Sequence, residues 1–480
     1  MKGLFFNPEA ETMPRPALED LQDSLLRKLV KRVSANNAFF HQFLHEAGID
    51  PDKFGGLADI EKLPFMKKTT FREQYPDKMC CVPKSEIREM HMSSGTSGTP
   101  VMMLYTENDI DQWATCMARC LRMAGVAPHD VFQLTPGLGL FNGGFGCYHG
   151  GRKAECFVIP AGPGNTPRQI KLMEDLHTNA FLCVVSYGAR ILEVLQEQGK
   201  TLPDLKVGIF GAETFPDAMK DKLRKGFGID VFDIYGMTET GGIGTLGQDC
   251  CEHNGIHVWE DQYICEVINP DTGKDVPDGE TGELVVTSLT REAIPVVRYR
   301  TGDLTKVISR DVCSCGRTHI RLAPITGRVD DMIIIKGVNI FPSQIEHCLL
   351  QIPGVCGEYQ IFIVEYRQHF RNSDCCALEL PHPKNPPRAA FPPKTANRKN
   401  SQCRTERSPA CCIPFDILRN IFQVIPHHPN IIVINVMKQR FTLICHIIPG
   451  VCKQHAISAR ILEKEAKPFQ NHSAHAPHSP

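Results

Sequence analysis

The chain has 480 residues, of which 42% are hydrophobic and 22% charged, and its formal net charge is −1 at pH 7. This length allows two or three domains, and the composition is that of a folded globular protein. The near-zero charge argues against a general nucleic-acid-binding protein and against a protein that binds anionic membranes. The 21 cysteines lack the regular framework of a small secreted domain, so they favour a reducing, cytoplasmic compartment, with some thiols reserved for metal.

No secretory signal or membrane span is expected from the sequence. The apolar run at residues 4–6 is too short for a signal core, and the run at 431–436 is too short to span a bilayer. Charge is unevenly distributed, because residues 1–365 carry a net −11 and residues 366–480 a net +10. A change of net charge of this size at one position indicates that the two parts of the chain contain different kinds of sequence.

The first informative segment is a loop rich in glycine and hydroxyl side chains, flanked by strand-like runs at 89–92 and 101–105. The pattern predicts a hairpin whose loop exposes backbone N–H groups and hydroxyls to phosphate oxygens. It lacks the Gly-Lys-Ser/Thr ending of a Walker A loop, so a metal and a cation must come from elsewhere. A flexible linker is the alternative. The loop residues are Ser93, Ser94, Gly95, Thr96, Ser97, Gly98 and Thr99.

Strand-like and helix-like runs then alternate, which predicts βαβ units and a mainly parallel sheet covered by helices. One amphipathic helix is expected over residues 111–124, with Trp113, Met117, Cys120, Leu121 and Ala124 on one face. Ligands of such sheets bind beyond the carboxyl ends of the strands. The predicted strands are residues 131–134, 156–159, 183–186, 207–210 and 231–234.

Two turns at predicted strand ends combine a small residue with a carboxylate. They are Gly211-Ala212-Glu213 and the longer turn that contains Glu239. A small residue lets the backbone approach a ligand, and Glu239 is suited to hold Mg²⁺ against phosphate oxygens. The alternative for either carboxylate is an exposed side chain that caps a helix. The second turn reads Tyr235, Gly236, Met237, Thr238 and Glu239.

Polar anchors follow farther along the chain. Asp303 is a candidate acceptor for a ribose hydroxyl pair, and Arg328 a candidate phosphate ligand, since a guanidinium binds oxyanions through two hydrogen bonds.

Cysteine and histidine also cluster at two places about sixty residues apart. A structural Zn²⁺ site is predicted there, against the alternative of unligated thiols. Its ligands are most simply Cys251, His257, Cys313 and Cys315.

The order of these motifs resembles the adenylate-forming superfamily, and residues 289–300 and 325–346 are similar to its phenylacetate–CoA ligase branch. The resemblance covers residues 1 to about 365. It implies an α/β fold, with a large N-terminal adenylation domain of mixed sheets covered by helices at 1–327. A small, incomplete α+β C-terminal domain would begin at 328–365. The motifs are residues 93–100, 211–213, 235–239, 299–303 and 327–331.

The resemblance implies that an arylacetate carboxylate attacks the α-phosphate of ATP, and that coenzyme A then displaces AMP. Glu239 would hold Mg²⁺ and Arg328 would contact phosphate, while the small domain would swing about Asp330. The 93–99 loop, the two strand-end turns and Asp303 would bind the nucleotide. Phe141, Gly143 and Gly144 would form the aryl pocket; Phe141 as an ordinary core residue is the alternative.

After residue 365 the sequence departs from the family. Residues 366–480 are rich in Pro, His, Cys and basic side chains, and we expect an aberrant, disordered tail. It resembles translation in a wrong frame, with a lineage-specific extension as the alternative. Relatives place here a lysine that contacts the reacting carboxylate; no such motif follows, so adenylation is expected to be slowed.

Two other functions stay open at this point. One is a related adenylyltransferase that acts on a deazaflavin cofactor, and the other is a nonenzymatic nucleotide-binding protein. The oligomeric state also stays open between monomer and homodimer.

Overall fold

The computed structural model describes residues 4–93, 100–140 and 142–329 with their side chains, and beyond these the backbone of short strands. The chain divides into two compact units. The first comprises residues 1–335 and 339–347, and the second comprises residues 336–338 and 348–480.

The described helices lie in the first unit. They are α1 Pro8–Glu11, α2 Arg15–Asn36, α3 Ala38–Glu46, α4 Lys68–Glu73, α5 Glu107–Met123, α6 Phe145–Lys153, α7 Thr166–Asp175, α8 Val185–Glu197 and α9 Asp217–Phe227. Short 3-10 turns occupy Gly56–Lys62, Lys84–Glu86 and Thr238–Thr240.

The strands up to residue 340 are β1 Glu89–Met92, β2 Met102–Tyr105, β3 Val131–Leu134, β4 Phe157–Ile159, β5 Ala180–Val184, β6 Val207–Gly211, β7 Asp230–Met237, β8 Gly242–Asp249, β9 Ile256–Val258, β10 Tyr263–Ile268, β11 Gly282–Ser288, β12 Tyr299–Thr305, β13 Val307–Ser309, β14 Arg321–Leu322, β15 Gly327–Arg328, β16 Ile333–Ile335 and β17 Val338–Ile340.

The largest sheet that the structure describes has nine strands, in the order β13-β14-β9-β8-β7-β6-β5-β3-β4. Strands β4, β3, β5, β6 and β7 pair in parallel, whereas β8 and the strands beyond it pair antiparallel. A second, antiparallel sheet has the order β10-β11-β12-β15. The predicted α/β class with a large N-terminal domain of mixed sheets is confirmed.

Local sequence accounts for most of these elements. The predicted hairpin is confirmed, since β1 and β2 pair antiparallel with Met92 opposite Met102. Helix α5 begins earlier than predicted because Thr106 and Asp109 form a capping box. All five residues of its predicted apolar face are buried.

One predicted strand was misplaced. The strand expected at 183–186 runs from Ala180 to Val184, and α8 starts at Val185. The buried apolar run begins at Ala180, and the backbone N–H of Ser186 is bound by the Glu213 carboxylate at 2.7 Å. This hydrogen bond favours a helix start where the β-branched residues suggested a strand.

The second unit contains an antiparallel sheet in the order β18 Tyr359–Val364, β19 Ile431–Val436, β20 Phe441–Cys445 and β21 Ala459–Ile461. In it Tyr359 lies opposite Val436. The last three strands lie in the range 366–480, where we expected disorder, and β-branched residues such as those of β19 explain why a sheet forms. The remaining residues of that range, and the helix predicted to start at Ser343, lie outside the described residues.

Among the residues described, no helix is both long and apolar enough to cross a membrane.

A buried ion pair ties α5 to the start of the second sheet. Arg119 donates two hydrogen bonds to Asp261, at 2.8 and 2.9 Å, and the exposed fractions of the two side chains are 2% and 6%. Removal of one partner leaves the other charge buried and uncompensated, which is strongly destabilising.

We expect Arg119→Met to lower the free energy of unfolding by about 3–5 kcal/mol, because Asp261 would remain as a buried lone charge. Urea unfolding followed by circular dichroism measures this. The control is Lys171→Met, which removes an exposed pair with Asp175 and should cost less than about 1 kcal/mol. Equal losses for the two variants would contradict the argument.

Candidate functional site

The candidate site lies at the carboxyl ends of the parallel strands β3, β5, β6 and β7. The hairpin reaches this edge, since the backbone N–H of Met92 donates to the carbonyl of Leu140 at 2.9 Å. Ser93 closes the hairpin, because its Oγ accepts from the N–H of Val101 at 2.9 Å. Residues 94–99 of the predicted phosphate loop lie outside the described residues.

Glu239 lies on a tight turn that begins where β7 ends. The turn Thr238–Thr240 leads into Gly241 and Gly242, whose φ angles are +112° and +125°. Glu239 itself is only 6% exposed. Burial raises the pKa of Tyr299 well above its ordinary value, and the Glu239 carboxylate adds to the increase. A buried carboxylate beside a protonated phenol is an acceptor poised for a cation.

Three aromatic side chains hold the backbone of this turn. The Tyr263 hydroxyl donates to the carbonyl of Thr240 at 2.6 Å, and the Tyr105 hydroxyl to that of Gly241 at 3.1 Å. The Trp113 indole N–H donates to the carbonyl of Ile243 at 2.9 Å. The sequence suggested only a core role for Trp113 and none for the two tyrosines, because the contacts join residues more than twenty positions apart.

Tyr235, Asp303 and Arg328 are brought together. The Tyr235 hydroxyl donates to Asp303 Oδ2 at 2.5 Å, and Arg328 Nη1 donates to Asp303 Oδ1. Burial and the Asp303 carboxylate raise the pKa of Tyr235 well above its ordinary value, so the phenol remains a donor. Asp303 and Arg328 face each other across β12 and β15. The predicted hinge Asp330 lies just outside the described residues.

The turn after β6 has a different character from the Glu239 turn. A Cβ added to Gly211 would lie 2.6 Å from the carbonyl oxygen of Ile234, which explains the glycine, and Ala212 has φ +65°. Glu213 is exposed, and its carboxylate accepts from the backbone N–H and the Oγ of Ser186, each at 2.7 Å. Glu213 therefore caps the start of α8, which is the alternative interpretation that the sequence offered for this residue.

Backbone crowding also explains Gly236, since a Cβ there would lie 2.2 Å from the carbonyl oxygen of Gly242. Met237 packs against two hydrophobic clusters.

An open cleft of about 530 Å³ lies beyond the ends of β3 and β5. Gly143 is among its lining residues, while Gly144 packs against its wall, where a Cβ would lie 2.5 Å from the carbonyl oxygen of Gly137. Phe141 lies outside the described residues. The walls are largely apolar and comprise Thr135, Pro136, Gly137, Leu138, Gly139, Gly143, Pro163, Gly164, Val184 and Tyr187.

Asn142 connects this cleft to the Glu239 turn, a link that the sequence did not predict. Its Oδ1 accepts from Thr238 Oγ1 at 3.3 Å, and its Nδ2 donates to the Tyr105 hydroxyl at 3.5 Å. The side chain is buried. A ligand in the cleft and a cation at Glu239 would therefore meet within one hydrogen-bonded frame.

A separate cluster of Cys250, His257, Cys313 and Cys315 is buried, with one ligand atom from each within 4.8 Å of the others. Cys250 takes the position predicted for Cys251, because β8 ends at Asp249 and Cys250 follows it into the interior, 1% exposed. Hydrogen bonding from Cys250 and His257 lowers the pKa of Cys315 well below its ordinary value. His257 Nδ1 lies 3.2 Å from the His319 carbonyl, which leaves Nε2 for a metal.

Comparisons with known proteins show the family of the chain. The model of the AMP-binding enzyme family matches residues 32–290, and that of the AMP-binding enzyme C-terminal domain matches residues 337–377. Phenylacetate-coenzyme A ligase of Thermus thermophilus is 41% identical over 362 residues, which cover 75% of this chain and 81% of the relative. The Escherichia coli K12 enzyme of the same name is 38% identical over 355 residues, 73% of this chain and 80% of the relative.

Among solved structures, the fold is similar to 2-hydroxyisobutyryl-CoA ligase in an open conformation, in complex with 2-HIB-AMP and CoA. The TM-score is 0.68 at 30% sequence identity, and the match covers 75% of this chain and 86% of that chain.

One methyl group added to the Glu239 turn is expected to have a large effect on stability. A Cβ on Gly242 would lie 2.2 Å from Trp113 Cζ2, so we expect Gly242→Ala to cost about 2–5 kcal/mol of unfolding free energy through overpacking and strained φ. The two tryptophans of the chain both donate to residues just after this turn, so their fluorescence spectrum should also change.

The matched control is Gly228→Ala, where φ is +72° and no atom lies within 4 Å of the added Cβ. It should cost about 1–2 kcal/mol and leave the fluorescence unchanged. Identical spectra and stabilities for the two variants would show that Trp113 does not confine the turn.

Proposed function

The chain belongs to the phenylacetate–CoA ligase family of adenylate-forming, AMP-binding enzymes, and from this premise we propose that it ligates phenylacetate or a related arylacetate to coenzyme A. As a member it is an AMP-forming acid–thiol ligase that uses ATP and proceeds through an acyl adenylate. One observation supports the substrate proposal most directly. The apolar cleft at Gly143 and the buried carboxylate of Glu239 share the frame of Thr238 and Asn142.

The proposed roles follow from position and charge. Glu239 holds Mg²⁺ against the phosphates, and the 93–99 loop together with Arg328 contacts phosphate oxygens. Asp303 accepts the ribose hydroxyls. The backbone of residues 211–213 and 235–238 borders the nucleotide, and Phe141, Gly143 and Gly144 border the aryl ring. We place the domain boundary at residues 327–328, with Asp330 as the hinge.

The chemistry requires these charges to be fixed in advance. The first step brings a carboxylate against a polyphosphate, and two anions repel each other unless cations and N–H donors are already in place. When bound, Mg²⁺ neutralises phosphate charge and orients the α-phosphate. The chain supplies a buried acceptor for the metal and an open, largely apolar cleft of about 530 Å³, which suits an aromatic ring.

The deazaflavin adenylyltransferase is not favoured, because the phenylacetate-coenzyme A ligases match at 41% and 38% identity over most of their length.

We expect purified protein with ATP and Mg²⁺ to release pyrophosphate when phenylacetate is added, and to form the thioester when coenzyme A follows. Indolyl and aliphatic acids should be slower. Pyrophosphate release without any consumption of coenzyme A would favour an adenylyltransferase, and ATP binding with no release for any acid would favour a nonenzymatic protein. A chimera with a relative's C-terminal domain should be faster if the missing lysine limits adenylation.

Glu239→Gln should lower the rate of pyrophosphate release by about 10²–10³, because the neutral amide is a poor ligand for Mg²⁺. Glu174→Gln is the control, since Glu174 is paired with Lys200 at 2.9 Å on the surface. Wild-type rates for Glu239→Gln at limiting Mg²⁺ would remove Glu239 from the metal site.

We also propose a structural Zn²⁺ bound by Cys250, His257, Cys313 and Cys315. Three thiols and an imidazole in a closed, buried cluster are a donor set typical of tetrahedral structural zinc. Because thiolate ligands require a reducing environment, the site also supports a cytoplasmic location.

Cys250→Ser should lose about one equivalent of zinc per chain and unfold at a lower temperature, since metal binding stabilises the folded state. Elemental analysis of purified protein measures the loss. Cys251→Ser provides the matched control, because its side chain lies outside the cluster and the metal content should stay at the wild-type value. The same zinc content in all three proteins would contradict the site.

A further inference from the structure

Buried arginine side chains in the described ranges mostly pair with a buried carboxylate. Within the described ranges, three fully buried arginines pair with a buried carboxylate: Arg119 with Asp261 at 2.8 Å, Arg298 with Glu266 at 2.6 Å and Arg317 with Glu11 at 2.6 Å. Arg291 is equally buried, at 3% exposure, yet no described carboxylate oxygen lies within 4.0 Å of it.

Arg291 lies directly behind the Glu239 turn. A Cβ added to Gly241 would be 2.3 Å from its Nη1, so the guanidinium contacts the turn backbone. Its Cζ lies 4.5 Å from the ring centroid of Tyr105, the residue whose hydroxyl holds the Gly241 carbonyl. Nη2 donates to the carbonyl of Leu104 at 3.1 Å, and Nε has no partner within the described part of the chain.

Arg291 is thus buried without a direct ion pair among the described residues. Burial lowers the pKa of Arg291, but the charge of Asp109 acts against burial and the net pKa is raised. The Asp109 oxygens themselves accept from the backbone N–H groups of Thr106, Glu292 and Ala293 at 2.8–3.1 Å. A buried cation that lacks a salt bridge is costly for folding. Arg291 packs against the turn that carries Glu239, the carboxylate proposed to hold Mg²⁺ where a polyphosphate and a second anion react. A bound anionic ligand would therefore offset the cost of burying the Arg291 charge.

We propose that Arg291 is a positioning residue for adenylation, which packs against the Glu239 turn and supplies a buried positive charge without a direct ion pair that favours bound Mg·ATP. This inference rests on the proposed function, since it assigns the anion that balances the charge. The guanidinium contacts Gly241 and Tyr105, so it acts through the turn and through its field in a buried, low-dielectric environment.

The test compares full-length Arg291→Met and Arg291→Lys with wild type by calorimetric titration of Mg·ATP and by pyrophosphate release with phenylacetate. We expect Arg291→Met to weaken Mg·ATP binding about tenfold and slow release by about 10–100-fold, because a near-isosteric apolar side chain removes the charge. Arg291→Lys keeps the charge and should restore most of both.

Thermal unfolding separates this role from a structural one. Because Arg291 makes no direct ion pair, Arg291→Met should lower the melting temperature less than Arg119→Met, which breaks a buried pair and should lower it by more than about 5 °C. Arg291→Met with wild-type affinity and rate, or with a melting temperature as low as that of Arg119→Met, would overturn the proposal.

Different results would contradict the ligase proposal and the Arg291 proposal. Wild-type protein that binds Mg·ATP but releases no pyrophosphate contradicts the ligase proposal, and the binding comparison still decides on Arg291. Wild-type protein that binds no nucleotide contradicts both.

Discussion

The site depends on one constraint: the backbone turn that carries Glu239 must keep its shape without help from the ligand. A 3-10 turn followed by two glycines at φ above +100° is intrinsically flexible, since glycine has few conformational restrictions. Side chains from distant parts of the chain restrict it. Tyr263, Tyr105 and Trp113 donate hydrogen bonds to three of its carbonyls. These contacts restrict a backbone that its own glycines would leave flexible. Preorganisation of this kind avoids reorganisation when charge develops in the reaction.

The same frame joins the cleft proposed for the acid to the turn proposed for the nucleotide and its metal. Asn142 accepts from Thr238 on the Glu239 turn and donates to Tyr105, which itself binds the turn. Hydrogen bonds therefore connect the cleft loop to the turn that carries the proposed metal ligand. In a reaction between two anions, an error of about 1 Å in their approach can cost a factor of about 10² in rate, so a fixed connection between the two proposed subsites would favour the reaction.

Much of the fold, and the order of the motifs, could be predicted because both rest on local patterns. Short β-branched or aromatic runs predicted β3, β6 and β7, and the strand-like flanks at 89–92 and 101–105 predicted the hairpin around Ser93. What the sequence could not give was which residues meet across long separations. Tyr105 and Gly241 are 136 positions apart, and Arg291 reads as one more charged residue in a loop. Cys250 and Cys251 are adjacent, and only the direction in which β8 ends decides which thiol is buried.

Glu213 and Glu239 show why a motif alone does not assign a role. Both follow a small or hydroxyl-bearing residue at the end of neighbouring parallel strands, and the sequence offered the same two interpretations for each. The strand ends differ in what surrounds them. Glu213 faces solvent and the start of α8. There the backbone N–H of Ser186, which has no partner within the helix, donates to the Glu213 carboxylate. Glu239 is enclosed by the turn and by Tyr299, where an ionised carboxylate is costly unless a cation compensates it. Burial, rather than sequence context, therefore distinguishes the capping carboxylate from the one suited to a metal.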